Sequence, residues 1–411
     1  MKPTTSLILV LLLVLTACSQ TGKTVKVTIT NPSGVNLKGA VFSVTDKATL
    51  QKIINSDDNF YLESEGVSYP FQLIKGNGDP VKLLVLADLN AGEKKVLQVV
   101  PSDSPISFKP KTQAMISVKK GGEWIWVTKS SGKQQYEYRG GTWEDVKELK
   151  VPKQHTDHSF DIRIEGPGWE SDKIGYRFYL DWRNAIDLFG KKVDTLVLQN
   201  VGLDGFDSYH EMAGWGVDIL DVGNSLGVGS MGHWAVNRAN RVEKTDSLFS
   251  RVDCSGTLES QITTIYSGWE TDEGKTGLTS RLSIRAGSYL TKNELELSKP
   301  LNNICTGIVK FPDTTVLKSD NAGGPWAYLA TFGKQTIQGD DLGMAVFYNQ
   351  GDLIELADDS LNHVVILKPK DNKLTYYFGA VWEQDSSHIK TVAEFDNFLK
   401  SQLELLNNNI L

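Results

Sequence analysis

From Gln261 onward the chain repeats one pattern, and that pattern limits the folds open to it. Seven segments follow one another: QITTIYSGW, LTSRLSIRAG, CTGIVKF, WAYLATF, LGMAVFY, HVVILKP and KLTYYFGAVW. Each is short, rich in β-branched and aromatic residues, and bounded by turn formers. Segments of that length and composition read as strands, and their close succession favours antiparallel pairing. An all-β sandwich of large sheets is therefore expected. One strong helix closes the chain. Thr391 and Glu394 have the spacing of a capping box, and Val392, Phe395, Phe398, Leu399, Leu403 and Leu406 recur on one helical face.

The preceding residues continue the strand pattern. Thr24–Thr30 alternates apolar and polar residues, Val41–Val44 reads as a strand, and Val81–Ala87 and Lys95–Val100 flank a hairpin signal at Asn90–Glu93. The segment 18–101 reads as part of the sandwich or as a small β-sandwich of its own. The linker SDSPISFKPKT leads into a main domain over 115–411. Within it, Met115–Val118, Glu123–Val127, Ser159–Ile164, Ile174–Leu180 and Asp194–Leu198 are expected strands. Residues 130–158 are expected to be a long polar excursion carrying Trp143 on a helical turn. Tyr209–Leu220 is expected to be a short internal helix, with Ser208 and Glu211 at capping-box spacing.

The amino terminus is a basic start, an apolar run Leu7–Leu15, and then LTAC. The run is too short to span a bilayer and has signal-peptide length. LTAC resembles a bacterial lipobox. That implies a lipoprotein signal peptide over 1–17 and a lipidated Cys18, hence a membrane partner through a lipid anchor. Ser19 in place of Asp implies the outer membrane, with the body taken to face the periplasm. Cys254 and Cys305 remain, either as a disulfide or as two buried thiols. With Asp+Glu 50 against Lys+Arg 43, the chain lacks the basic excess of a nucleic-acid protein.

Chemistry-bearing residues concentrate in Glu165–Gly232 and just beyond. Four of the ten tryptophans are there, Trp169, Trp182, Trp215 and Trp234, with Arg177, Arg183, His210, Glu170, Asp181, Asp187 and Glu211. Aromatic faces beside guanidinium forks suit a sugar acid, whose CH faces stack and whose carboxylate pairs. Strand alternation over Ile174–Leu180 sends Tyr176, Phe178 and Leu180 to one side, and Arg177, Tyr179 and Asp181 to the other. Gly227–Gly232 spells G-x-G-x-x-G but lacks a βαβ setting. It is read as a place where a strand bends or the backbone approaches a ligand, not as a dinucleotide site.

The strings GPGWESDKIGYRFYLDWRNAIDLFGKK, SYHEMAGWGVDILDVGNSLGVG and YYFGAVWEQ resemble the DUF4861 family, lipoproteins and periplasmic proteins of polysaccharide-degrading bacteria. The resemblance implies a galactose-mutarotase-like β-supersandwich. It also implies company with enzymes acting on uronate-containing glycans, where some members are dehydratases that leave 4,5-unsaturated uronates. Such a reaction removes the C5 proton, which acidifies once the neighbouring carboxylate is neutralised. Arg177 or Arg183 is the expected neutralising cation. His210 is the expected base, since imidazole titrates near neutral pH. Tyr179, Tyr176 or Tyr209 is the expected acid, with His233 as a second candidate. Trp169, Trp215 and Trp382 are candidate sugar platforms, and Glu170, Asp181 and Tyr209 candidate substrate contacts. No metal or cofactor is called for by ligand spacing. The alternatives are a glycan-binding lipoprotein without turnover and, behind it, a glycoside hydrolase with paired carboxylates.

Overall fold

The computed structural model describes residues 25–56, 59–76, 79–205, 208–319 and 323–411. The expected signal peptide and Cys18 lie outside the described residues. The body is all-β, and the successive segments read from Gln261 onward build most of one nine-stranded antiparallel sheet. Its central run is Glu259–Thr271, Gly274–Arg285, Leu290–Leu297, Lys373–Trp382, Asp341–Asn349 and Trp326–Lys334.

Two five-stranded sheets lie side by side against it. One runs Gly216–Asp218, Ile186–Lys191, Gly175–Phe178, Gly168–Ser171 and Thr112–Met115. The other runs Arg238–Arg241, Val228–Ala235, Ile304–Val309, Asn362–Leu367 and Leu353–Asp358. A parallel bridge between Ile186 and Gly227 joins them. Only glycine fits at that bridge: its φ is +64°, and a Cβ would lie 2.0 Å from the Ile186 carbonyl oxygen. The apolar core between the layers includes Tyr176 and Phe178 from one side and Phe378 and Val346 from the other. The tilt of Tyr176 edge-on to Phe378, 5.6 Å between centroids, shows which face of its strand points inward.

Residues 26–101 form a four-stranded and a three-stranded sheet around a separate core, with an unforeseen helix at Lys47–Ser56. Lys82 ties this unit to the body through Glu259, 2.7 Å away. The C-terminal helix is Val392–Asn407, and both halves of the Thr391–Glu394 box form. Its buried Phe395 and Leu399 cover the large sheet, at about 1.5–3 kcal/mol for each large apolar side chain.

Several local expectations fail. Val81–Ala87 and Lys95–Val100 do not pair with each other. Their strands belong to different sheets, so the Asn90 turn is a corner. Residues 134–145 are a strand paired with Ser117–Thr128, and Trp143 sits on it without a helical turn. Ser159–Ile164 and Asp194–Leu198 are turns and irregular chain with short 3-10 turns at Arg163–Glu165 and Leu198–Asn200. No helix covers Tyr209–Leu220: a 3-10 turn at Ser208–His210 gives way to the strand Gly216–Asp218. Gly214 and Gly216 weaken a helix there, and the amide-bearing edge of Ile186–Lys191 supplies better partners. Gly229 does allow close approach, but to the Phe378 ring of the core and not to a ligand. Cys254 and Cys305 are both free thiols, and burial pushes the Cys254 thiol up to about 12.

Candidate functional site

Because Tyr176 and Phe178 point into the core, Arg177 and Tyr179 project from the opposite face of the same strand. Loops around 157–165, 182–183 and 218–224 wall that face into a cavity of about 410 Å³. Arg177, Tyr179, Arg183 and His210 all open onto it, together with Asp157, His158, Glu165, Trp182 and Asp218.

Arg177 is buried and bonded to three side chains. Its Nε and Nη2 donate to Asp187 Oδ2 at 2.9 and 2.7 Å, and Nη2 also donates to Asp218 Oδ2 at 2.6 Å. Nη1 donates to the Tyr209 hydroxyl at 3.1 Å. Burial works against this charge, but Asp218, Tyr179 and Asp187 outweigh it, so Arg177 is held firmly cationic. For Asp187 burial wins: with repulsion from Asp218 added, its carboxyl is raised to about 6. The Tyr179 hydroxyl donates to Asp187 Oδ2 at 2.6 Å, and burial holds it protonated.

Arg183 lies nearer the cavity. Its guanidinium carbon is 3.8 Å from the centre of the Tyr179 ring, on which it stacks. It pairs with Asp181 at 2.5 Å, Glu165 at 2.9 Å and the more exposed Asp157 at 3.0 Å. His210 Nε2 is 3.3 Å from Asp218 Oδ2, and its side chain is one-third exposed. Asp218 therefore holds the His210 imidazole in place at the edge of the cavity. His158 is raised by its hydrogen bond to Asp157, 2.5 Å long, with burial opposing.

Two features stand out beside this geometry. His158, Phe160, Ile164 and Glu165 all have positive φ, between 52 and 63°, although none is glycine. Such strain in one loop persists only where the surroundings enforce it, and it concentrates at working sites. The lining is also richer in carboxylates than in cations: Asp157, Glu165, Asp218 and Asp221 face Arg177 and Arg183. Among the described residues, Asp157, His158 and Glu165 offer ligand atoms within 4.8 Å of one another. Arg183 already bridges Asp157 and Glu165, so a cation there would have to displace its guanidinium.

Other expected site residues lie elsewhere. Trp169 is in the core, where its indole donates to Thr291 Oγ1 at 2.9 Å. Tyr176 donates to the Tyr289 carbonyl in the same core. Trp382 is buried and donates to Asp340. Glu170 is sealed in with Lys191, 2.5 Å away. Trp215 packs on Phe189. Tyr209 lies beneath the cavity against Arg177, and Asp181 behind it against Arg183. His233 is in the other five-stranded sheet, paired with Asp272 at 3.0 Å. Sequence reasoning passed over His158, Glu165 and Asp218. A signal existed for Asp218: like Asp187 in IDLF, it is a lone carboxylate in an apolar strand, in VDIL.

A family model described as "Domain of unknown function (DUF4861)" matches residues 29–410. No curated protein matches. Among solved structures, a glycosyl hydrolase family 38 protein from Enterococcus faecalis is 6% identical with a TM-score of 0.45, covering 92% of this chain and 46% of that one. An α-mannosidase from Enterococcus faecalis V583 is 8% identical with a TM-score of 0.44, covering 93% and 45%. This chain spans less than half the length of either.

Proposed function

The chain belongs to the DUF4861 family, and from its loop-walled cavity we propose that it is a carbon–oxygen lyase acting on a terminal uronic acid of oligosaccharides. The observation carrying this reading is that an Asp218-backed imidazole, His210, and a guanidinium near the surface, Arg183, open onto one cavity. In the proposed reaction Arg183 Nη1 exchanges the exposed Asp157 for the substrate carboxylate. Neutralising that charge acidifies the C5 proton, and His210 takes it. The electron pair left on C5 forms the C4–C5 double bond as the C4–O bond breaks. The departing oxygen receives a proton from His158, whose raised pKa keeps it charged more of the time. Arg177 is a positioning residue here: it fixes Asp187 and Asp218, which hold its charge. His158 thereby takes the acid's part expected of a tyrosine, since Tyr179 already donates to Asp187. Trp182, 42% exposed, supplies the stacking face.

The carboxylate surplus favours a second reading, hydrolysis of a neutral glycoside with Glu165 and Asp218 as the acid pair. The test is incubation of the protein with a panel of uronate oligosaccharides while the ultraviolet absorbance of an unsaturated uronate is followed. The lyase reading expects that absorbance to rise. Cleavage with only saturated products supports hydrolysis, and binding with no product supports a glycan-binding protein.

The proposal also tethers the body to the outer membrane, facing the periplasm, through a lipid on Cys18. Labelled fatty acid is expected in the wild type and absent from Cys18→Ala, which should partition into the aqueous phase of a detergent separation. Equal labelling of both proteins would discard the anchor.

A further inference from the structure

Beyond Trp182 lies a second groove of about 420 Å³, on the neighbouring five-stranded sheet. It lies along the strands Val228–Ala235 and Arg238–Arg241 and the end of Glu259–Thr271. Trp182 links it to the cavity: the tryptophan lines the cavity, and the guanidinium carbon of groove residue Arg241 is 5.2 Å from its ring centre. A saccharide leaving the cavity across the indole meets this groove next.

The groove holds cations with capacity to spare. Arg241 is 9% exposed and donates through Nη2 to Glu243 at 3.0 Å. Its Nη1 is buried with no hydrogen-bond partner. A buried guanidinium donor without an acceptor costs free energy, and turning Nη1 toward a ligand oxygen in the groove recovers it. Arg238 and Lys244 line the same groove and are exposed. Among the described residues neither has a carboxylate in ion-pair contact; Arg238 donates through Nε to the neutral Asn240 side chain at 2.7 Å. Of the groove's own carboxylates, Glu243 pairs with Arg241 and Glu270 with Lys275, while Asp272 hydrogen-bonds His233, which burial holds toward its neutral form. The contrast with the carboxylate-rich cavity is one of charge availability: both arginines there are committed to carboxylates.

We propose that this groove is a second sugar subsite, which binds the carboxylate of a further uronic acid in the same oligosaccharide through Arg241, Arg238 and Lys244. The inference rests on the reading of the cavity as the place where an acidic oligosaccharide is held. It turns the protein from a reader of one terminal residue into a reader of an acidic chain several units long. His233, expected at the reaction centre, belongs to this groove, where its Asp272 partner and burial make it a wall.

The test compares binding of uronate disaccharides and tetrasaccharides by calorimetry, with the tetrasaccharides also supplied as carboxyl methyl esters. In the wild type, the best-bound tetrasaccharide should bind about tenfold more tightly than its disaccharide, and esterification should abolish that advantage. In Arg238→Ala/Lys244→Ala, both exposed positions, the ratio should fall to near one. Its tetrasaccharide affinity should also lose most of its salt dependence, which a purely structural loss would not produce. Arg241→Met, checked for folding by circular dichroism, should lose the same advantage. Equal ratios in the wild type and the double variant, or an ester that binds as well as the acid, would overturn the subsite. Failure of the wild type to bind any member of the panel would overturn it too. Length-dependent binding that needs Arg238 and Lys244, without unsaturated product, would keep the subsite and remove the lyase.

Discussion

Replacing His210 with alanine should lower kcat/KM for unsaturated-product formation by about 10²- to 10⁴-fold, the usual contribution of a positioned acid or base. The effect should fall on kcat, because the imidazole is assigned to the C5 proton and not to holding the sugar. Stability should change little: the side chain is one-third exposed, and Asp218 keeps its charged bond to Arg177 without it. The measurement is the initial rate of absorbance gain, with a thermal melt of each protein alongside. A variant that turns over at the wild-type rate while folded removes His210 from the reaction. One that melts far earlier assigns it to the scaffold instead.

The largest effect on stability should come from Arg177. It touches two buried carboxylates at once, Asp187 and Asp218, and Arg177→Met takes that guanidinium from both. Removing one partner from a buried pair typically costs about 3–5 kcal/mol, because the remaining charge stays out of water. The thermal midpoint should therefore drop, and adding Asp187→Asn and Asp218→Asn should restore much of it.

The pH dependence gives this its sign. The Asp187 carboxyl is raised in the folded protein to about 6, mainly by burial and then by Asp218. A raised carboxyl binds its proton more tightly folded than unfolded. Its contribution to stability is then complete below the ordinary aspartate range and disappears as pH climbs through about 6. Taking Arg177 away removes a charge that opposes this rise, so the folded value moves further up. The deficit of Arg177→Met should accordingly be smaller at pH 5 than at pH 8. A deficit that is equal at both, or none at all, would contradict the network.

How the site could be read in the sequence differs from residue to residue. Alternation in IGYRFYL separated Tyr176 and Phe178 from Arg177 and Tyr179, and the structure turns the first pair into the core and the second toward the cavity. Alternation is a property of the backbone pleat and needs no knowledge of the partner strand. The ion-pair partners of Arg177 were not readable this way. Asp187 stands opposite it on the next strand, while Asp218 arrives one strand further on, after a loop. Which carboxylate reaches which guanidinium depends on register, and register is settled by the whole sheet. Trp169 reads equally well as a sugar platform or as core until Thr291, 122 residues away, is known to receive its indole proton.

Local pattern was enough for the all-β class, the run of strands after Gln261, the capped C-terminal helix and the grouping of Arg177 with Tyr179 on one face of its strand. Each of these follows from local periodicity or from a cap whose partners are three residues apart. The packing of the whole body decides that Arg177, one of the two arginines expected to neutralise the substrate carboxylate, already lies against Asp187 and Asp218, that His158 and Glu165 line the same cavity, and that a groove lined by Arg238 and Lys244 adjoins it. Those outcomes depend on distances between groups far apart in the chain. Coulomb energy and desolvation follow that separation in space, not the separation in sequence.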